Sequence, residues 1–257
     1  MEQLTFNNKK LFRLAFEGTN FYGTQVQTGF VTISNKLEEV KNMLKIDGNF
    51  KFFSRLDSGV HAKDFPVLLK LKKSFNGNLL HAFNSQLPQE IRIQKIQNIQ
   101  TDFENSIITS KVYRYYVYKS ISDNPLINRF ATRIDPKIDL EKSHHVLNLF
   151  EGQHDFKNFR TTGSNVKTTI RKIDKFQLLK KTQNLYFFQI QGPGFLKNQV
   201  RMMVGCVLQF CENKIDESQI QSLLMGKIDR SPWMAKMMDA RGLMLYRVRV
   251  NKDILLK

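Results

Sequence analysis

Residues 50–71 read FKFFSRLDSGVHAKDFPVLLKL, from Phe50 to Leu71. Phe50 to Arg55 has the aromatic content and alternation of a short strand, whose period of two puts Phe53, Arg55 and Asp57 on one face. Asp57-Ser58-Gly59 turns the chain, because Asp and Ser bond to nearby backbone and Gly accepts strained angles. Phe65 to Leu71 then returns as a second strand. Upstream of this pair, Ser34 to Leu44 places Leu37, Val40 and Leu44 on one side of a helix. Before that helix, Leu11 to Phe16 is a strand ending in the turn signal Glu17-Gly18-Thr19-Asn20. Downstream, Leu79 to Leu87 is helical until Pro88 stops it, and Ile91 to Ile96 alternates as a half-buried strand does. Strand, helix, strand, strand, helix, strand is the order of a ferredoxin-like α+β unit.

The mix repeats beyond it. Val112 to Tyr118 is a strand with Tyr113, Tyr115 and Val117 on one face and Arg114, Tyr116 and Tyr118 on the other. Leu140 to Phe150 reads as a helix with Gly152 as its cap, and Ile170 to Leu179 pairs with Leu185 to Gln191 as a hairpin. Phe195 to Cys211 follows the helical period closely through Leu196, Val200, Met203, Val204, Val207, Leu208 and Cys211. Ser218 to Met225 adds a short helix and Leu243 to Val250 a closing strand. The expected division is an N-terminal α+β domain over residues 1–105 and a C-terminal one over residues 106–257.

Composition narrows the function classes. The chain has 257 residues, 41% of them hydrophobic and 25% charged, which suits a folded chain with a substantial core and excludes a disordered one. Lys and Arg number 40 against 23 Asp and Glu, giving a net charge of +17. Such an excess repels itself in a compact state and suits a polyanionic partner, nucleic acid first and an anionic membrane surface second. Apolar runs such as Phe65 to Leu69 fall far short of the roughly 20 residues of a spanning helix. No signal peptide is visible in the opening residues. Cys206 and Cys211, five apart on a helix, point to different faces, and His61, His81, His144, His145 and His154 show no metal-ligand spacing. A reduced, cytoplasmic protein that uses neither metal nor organic cofactor is the expectation.

Three places can carry chemistry. In Arg55-Leu56-Asp57-Ser58-Gly59-Val60-His61-Ala62 a carboxylate on a strand-to-turn corner, with an arginine two residues earlier, can be held ionised and aimed at a substrate. The same residues also make a plain turn. Lys197 and Arg201, four apart in the long helix, are neighbouring cations. Arg201 lies at the border of the apolar stripe, where it wants a carboxylate or phosphate partner unless it snorkels to water. The tyrosines and basic residues from Tyr113 to Lys119 form either a stacking platform for an unstacked base or a sheet face packed on the core. Phe156 and Phe159 read as core.

These blocks, with Phe16-Glu17-Gly18-Thr19-Asn20-Phe21-Tyr22-Gly23, Leu87-Pro88, Gly152 to Arg160, Thr169 to Ile173, Phe195 to Gly205 and Gly242 to Leu245, stand in one order over roughly residues 9–250. In that order they resemble the TruA family of tRNA pseudouridine synthases. The resemblance implies the pseudouridine synthase fold: two ferredoxin-like, RRM-like α+β halves with mainly antiparallel sheets flanking a central active-site cleft. It also implies a homodimer that isomerises uridine to pseudouridine in the tRNA anticodon stem-loop, at positions 38 to 40, without cofactor. By the same resemblance Asp57 is the catalytic carboxylate, Tyr113 packs on the target base and handles protons, and Arg201 pairs with the aspartate. Arg55 helps hold the base extruded, and His61, Tyr115, Lys197, Phe195 and Arg171 join it as substrate-binding residues.

The chemistry suits that assignment. Exchanging an N-glycosidic for a C-glycosidic bond requires the base to detach, rotate and reattach, which a stacked helix forbids, so the nucleotide must flip out. The sequence departs from the family pattern in four places. Thr24 stands where Trp is usual, and Leu56 and Ser58 flank Asp57 in place of Thr and Ala. Glu104-Asn105-Ser106 replaces an Ala-Arg pair after Phe103, and Asp239-Ala240-Arg241 replaces Ala-Pro-Ala. These changes bear on substrate choice. The rival expectations are a paralogue that modifies ribosomal RNA and a non-catalytic RNA chaperone.

Overall fold

Lys9–Phe16 (β1) alternates buried and half-buried side chains, so Phe12, Leu14 and Phe16 face a core while Arg13 points away. It is followed by α1 (Ile33–Met43), β2 (Gly48–Phe52), β3 (His61–Leu71), α2 (Leu79–Gln86) and β4 (Ile91–Asn98). The computed structural model describes residues 8–99, 107–161, 166–231, 233–251 and 255. β1 lies between β3 and β4 and is antiparallel to both, and β2 is antiparallel to β3. The spatial order β4, β1, β3, β2 is the ferredoxin-like arrangement that the order of elements implies.

Caps fix the helix starts. Thr32 accepts the Asn35 N–H at 3.2 Å while Asn35 accepts the Thr32 N–H at 3.1 Å, a reciprocal box that opens α1. Asn78 caps α2 through the His81 N–H, and Pro88 follows its end. On one face of the sheet Phe12 packs edge-to-face on Phe83 and Phe50, with ring centroids 5.2 and 6.0 Å away. The other face carries a separate cluster of Leu11, Leu68, Ile99 and Ile107, covered by Phe53, Val250 and Leu255.

By contact density the chain forms two compact units, residues 1–109 with 245–257, and residues 110–244. The last residues thus group with the first unit, where the sequence reading had kept them in the second. Long-range polar bonds give the reason. β11 (Leu243–Val250) adjoins β3, and the Val248 N–H donates to Asp64 Oδ2 at 2.9 Å. Arg13 forks onto the same carboxylate, with Nε to Oδ1 at 2.6 Å, and also donates to the Val248 carbonyl at 2.6 Å. Charge-assisted bonds of this kind contribute about 1.5–3 kcal/mol each.

The second unit is built on β5 (Ile108–Lys119), β9 (Lys175–Lys180) and β10 (Leu185–Gly192), with β10 antiparallel between the other two. A short β6 (Thr132–Ile134) runs parallel to β5, and β7 (Gly152–Asp155) with β8 (Ile170–Ile173) makes a separate two-stranded ribbon. The expected Ile170 to Leu179 strand is therefore two strands, divided at Asp174 and pairing in different sheets. Only Ser143–Leu147 (α3) of the expected Leu140 to Phe150 helix is α-helical, and a 3₁₀ turn completes it. Phe150, Phe156, Phe159, Phe176 and Phe188 are fully buried, so Phe156 and Phe159 are core.

Gln199–Cys211 (α4) is buried on every side, Phe210 alone being partly exposed, and it takes the polar Gln199, Arg201 and Gln209 into the interior with its apolar residues. At Gly205 a Cβ would lie 1.8 Å from the Lys236 carbonyl oxygen, so only glycine admits that backbone. Glu217–Leu224 (α5) follows, opened by a box between Asp216 and Gln219. No described helix is long and apolar enough to cross a membrane.

Candidate active site

The strand carrying Arg55 in the sequence reading ends early. β2 stops at Phe52, and residues 54–57 belong to no strand, so Phe53, Arg55 and Asp57 share no strand face. Other bonds hold this stretch. The Leu56 N–H donates to Thr24 Oγ1 at 3.0 Å, and the Thr24 N–H donates back to the Leu56 carbonyl at 3.1 Å. Thr24 is fully buried. Gly23, at φ +82, brings its backbone so close to the Leu56 carbonyl that a Cβ would stand 2.4 Å from it.

The turn beyond Leu56 is equally fixed. The Val60 N–H closes it onto the Asp57 carbonyl at 3.2 Å, with Gly59 at φ +76. The Phe21 carbonyl accepts the Gly59 N–H at 3.2 Å and the Ser58 hydroxyl at 3.4 Å. Gly18 packs so tightly that a Cβ would meet the Val60 oxygen at 2.1 Å. Its N–H donates to His61 Nδ1 at 3.0 Å. The same His61 Nδ1 lies 3.5 Å from a Glu17 carboxylate oxygen. Asp57 is left half-buried on a corner that backbone bonds fix on both sides, and Arg55 is exposed beside it. His61, expected to contact substrate, is instead buried and holds the loop.

In the second unit Tyr113 is buried and stands edge-on to the half-buried Phe195, with ring centroids 5.1 Å apart. Tyr115 is fully buried, with its hydroxyl 2.7 Å from Thr132 Oγ1 and 2.8 Å from the Asp239 carbonyl that it donates to. Burial raises the pKa of its phenol. Both bonds, and the Gly242 backbone pressed against the ring, make it a structural post where the sequence reading expected a substrate contact. The opposite face of the strand is more open. Arg114 lies over the Phe187 ring at 4.4 Å and bonds to Gln189 at 2.9 Å, and Tyr116 packs on Phe187 at 5.3 Å.

α4 begins four residues later than its periodicity implies. Asn198 takes a left-handed φ of 60 and its side chain does not cap the helix, so Phe195 and Lys197 lie in the preceding loop. Lys197 and Arg201 are therefore not neighbours on a helix face. Lys197 is exposed, whereas Arg201 is only 9% exposed. The Arg201 head is fixed from two sides: Nε donates to the Met238 carbonyl at 2.6 Å and NH1 to Asn198 Oδ1 at 2.7 Å. The left-handed turn at Asn198 thus has a use, since it aims an acceptor at the guanidinium. Gln199, also buried, accepts the Leu196 N–H at 2.8 Å and steadies the same entry. Arg171, on β8, is half-buried and folds back onto the carbonyls of Thr168 and Ile170 at 2.9 and 2.6 Å.

Sequence reasoning missed the Thr24 clasp, the Asn198–Arg201–Met238 seat and the loop-holding role of His61. Two clues were available: a threonine replacing an aromatic residue beside glycine, and an asparagine three residues before a buried arginine. Phe103 to Ser106, where a family arginine is replaced, lie outside the described residues. Among the described residues no group of three or more His, Cys, Asp or Glu side chains is placed to hold a metal ion.

The first unit thus offers a half-buried carboxylate on a glycine-rich corner, and the second a buried arginine seated by Asn198 and Met238. Residues 146–251 match a family described as tRNA pseudouridine synthase. The tRNA pseudouridine synthase A of Mesoplasma florum is 33% identical over 255 residues, covering 93% of this chain and 98% of that one. Its counterpart from Phytoplasma mali is 32% identical, over 95% of this chain and 98% of its own, and that from Aquifex aeolicus 31% identical, over 88% and 93%. This chain belongs to the tRNA pseudouridine synthase A family, and it is an isomerase of that kind.

Proposed function

We propose that the protein converts uridine to pseudouridine in the anticodon stem-loop of tRNA, at positions 38 to 40, with Asp57 as the catalytic carboxylate. The observation that supports this most directly is the corner itself. Bonds of Leu56 to Thr24, of Gly59 to Phe21 and of Val60 to the Asp57 carbonyl fix the backbone on either side of Asp57, with its side chain half-buried at the corner. In the reaction the C1′–N1 bond breaks, the base turns, C1′–C5 forms, the C5 hydrogen leaves as a proton and N1 gains one. Asp57 acts on the flipped-out nucleotide, Tyr113 supplies the ring against the uracil and the phenol for proton handling, and Arg201 supplies the counter-charge to the carboxylate. Arg55, Lys197 and Arg171 serve the RNA backbone. A surface of +17 supplies affinity that weakens steeply with salt. Family membership also supports a homodimer acting in the cytoplasm.

The test is release of tritium from [5-³H]uridine-labelled RNA. Release from tRNA that is lost when U38 to U40 are replaced supports the proposal. Release from ribosomal RNA fragments alone, or from no RNA, overturns it.

A further inference from the structure

Two aromatic side chains near the catalytic corner have no place in the core. Tyr22 and Phe30 are each 47% exposed, yet their rings touch, with centroids 4.2 Å apart and planes tilted by 35°. Their backbones are fixed. The Tyr22 N–H donates to the Val31 carbonyl at 2.9 Å, and the Phe30 N–H closes a tight turn onto Gln27 at 3.2 Å, with Gly29 at φ +80. The Gln27 side-chain amide returns to the Tyr22 carbonyl at 2.7 Å. An exposed aromatic pair held this firmly has already met the ordering cost that a flexible loop would incur on binding.

The pair is mounted on the segment that holds Asp57. Phe21, one residue before Tyr22, accepts bonds from Gly59 and Ser58; Gly23, one residue after it, presses on Leu56; and Thr24 clasps Leu56. The neighbours Val26 and Val31 are exposed, and no acidic residue occurs from Phe21 to Lys36. The patch is thus apolar and amide-edged, and its own segment carries no carboxylate. A flat, sequence-tolerant partner flanked by negative charge, an unpaired nucleobase, is what such a surface takes.

We propose that Tyr22 and Phe30 form a stacking platform for an unpaired base of the substrate RNA adjoining the uridine handled at Asp57. The proposal rests on the pseudouridine synthase reading above and names a contact that the reading does not require. The experiment uses an RNA stem-loop with 2-aminopurine on either side of the target uridine, bound to full-length Asp57→Asn protein so that no turnover occurs. Stacking quenches 2-aminopurine. Quenching is expected with Asp57→Asn alone, and its loss when Tyr22→Ala and Phe30→Ala are added. The dissociation constant should rise by about five- to a hundred-fold, the range for one stacked base. Tyr22→Trp, which keeps a π face, should restore both signals and also guards against a folding defect. Unchanged quenching and affinity in the double variant would overturn the proposal, as would light scattering showing that the double variant has half the mass of its parent. Failure of tritium release by the wild-type protein, with quenching intact, would instead sink the function and leave the platform standing.

Discussion

Thr24 and Leu56, thirty-two residues apart, exchange two hydrogen bonds, and one of the four participating groups is a side-chain hydroxyl. That exchange sets the backbone one residue before Asp57. A buried donor left without its acceptor costs about 1–3 kcal/mol. Replacing Thr24 with Val, which keeps the shape and removes the acceptor, should lower the melting temperature by several degrees. It should also reduce kcat for tritium release about tenfold, with KM little changed. Thr24→Ser should restore both. Equal kcat in the Val and Ser variants would show that the hydroxyl does not position the carboxylate.

Asp57→Asn changes one atom and no packing. Turnover should fall by at least about a thousand-fold, within the range for loss of a catalytic acid–base or nucleophilic group, while thermal stability stays level. Single-turnover tritium release with excess enzyme reads this directly. A rate within tenfold of wild type would remove Asp57 from the chemistry.

Much of this architecture could be read before any coordinates. The alternation in β1 and β4, the proline after α2 and the apolar stripe of α4 are local signals, and each element is present where its period calls for it, α4 with a later start. What failed was non-local. β2 ends at Phe52 because Leu56 finds its partner in Thr24 rather than in a neighbouring strand. Phe195 and Lys197 keep helical spacing with residues of α4, yet Asn198 adopts a left-handed φ that spacing cannot reveal. Strands of four residues such as β7 and β8 are too short to show a period. At the site, sequence placed Asp57 on its turn and Arg201 in its helix. It could not show which way the rings of His61 and Tyr115 point, because both are turned inward by bonds to residues 43 and 124 positions away.

Gly205→Ala is expected to be severe. The added carbon would collide with the Lys236 carbonyl, and the 236–238 segment also delivers the Met238 carbonyl to Arg201. Overpacking of this kind costs about 1–3 kcal/mol. Circular dichroism should show a melting temperature lowered by about 5 °C or more, with activity lost in parallel. An unchanged melting curve would mean that the segment is free to move away.

Tyr113→Phe separates packing from proton handling. The ring keeps its edge contact with Phe195 and the hydroxyl is lost. Substrate affinity should hold while kcat drops about ten- to a hundred-fold, in line with loss of a proton-transfer group. A wild-type rate would restrict Tyr113 to packing.

Burial pushes both thiols, Cys206 and Cys211, up to about 12 from an ordinary 9.0. The folded state holds these protons where the unfolded chain has released them. Their contribution is whole below pH 9 and disappears as pH climbs toward 12, by about 1.4 kcal/mol per unit for each thiol in that window. Denaturant melts from pH 8 to 11 should show the decline, and the Cys206→Ala/Cys211→Ala protein should show a shallower one. Identical slopes would show that the thiols are not responsible.

The first unit takes its final residues, 245–257, from the far side of the second. Arg13 and Asp64 leave the ribosome early, but Val248, which bonds to both, is made only after the 135 residues of the intervening unit. The unit that carries Asp57 is accordingly the last to be completed during synthesis, although its first residues are the first to be translated.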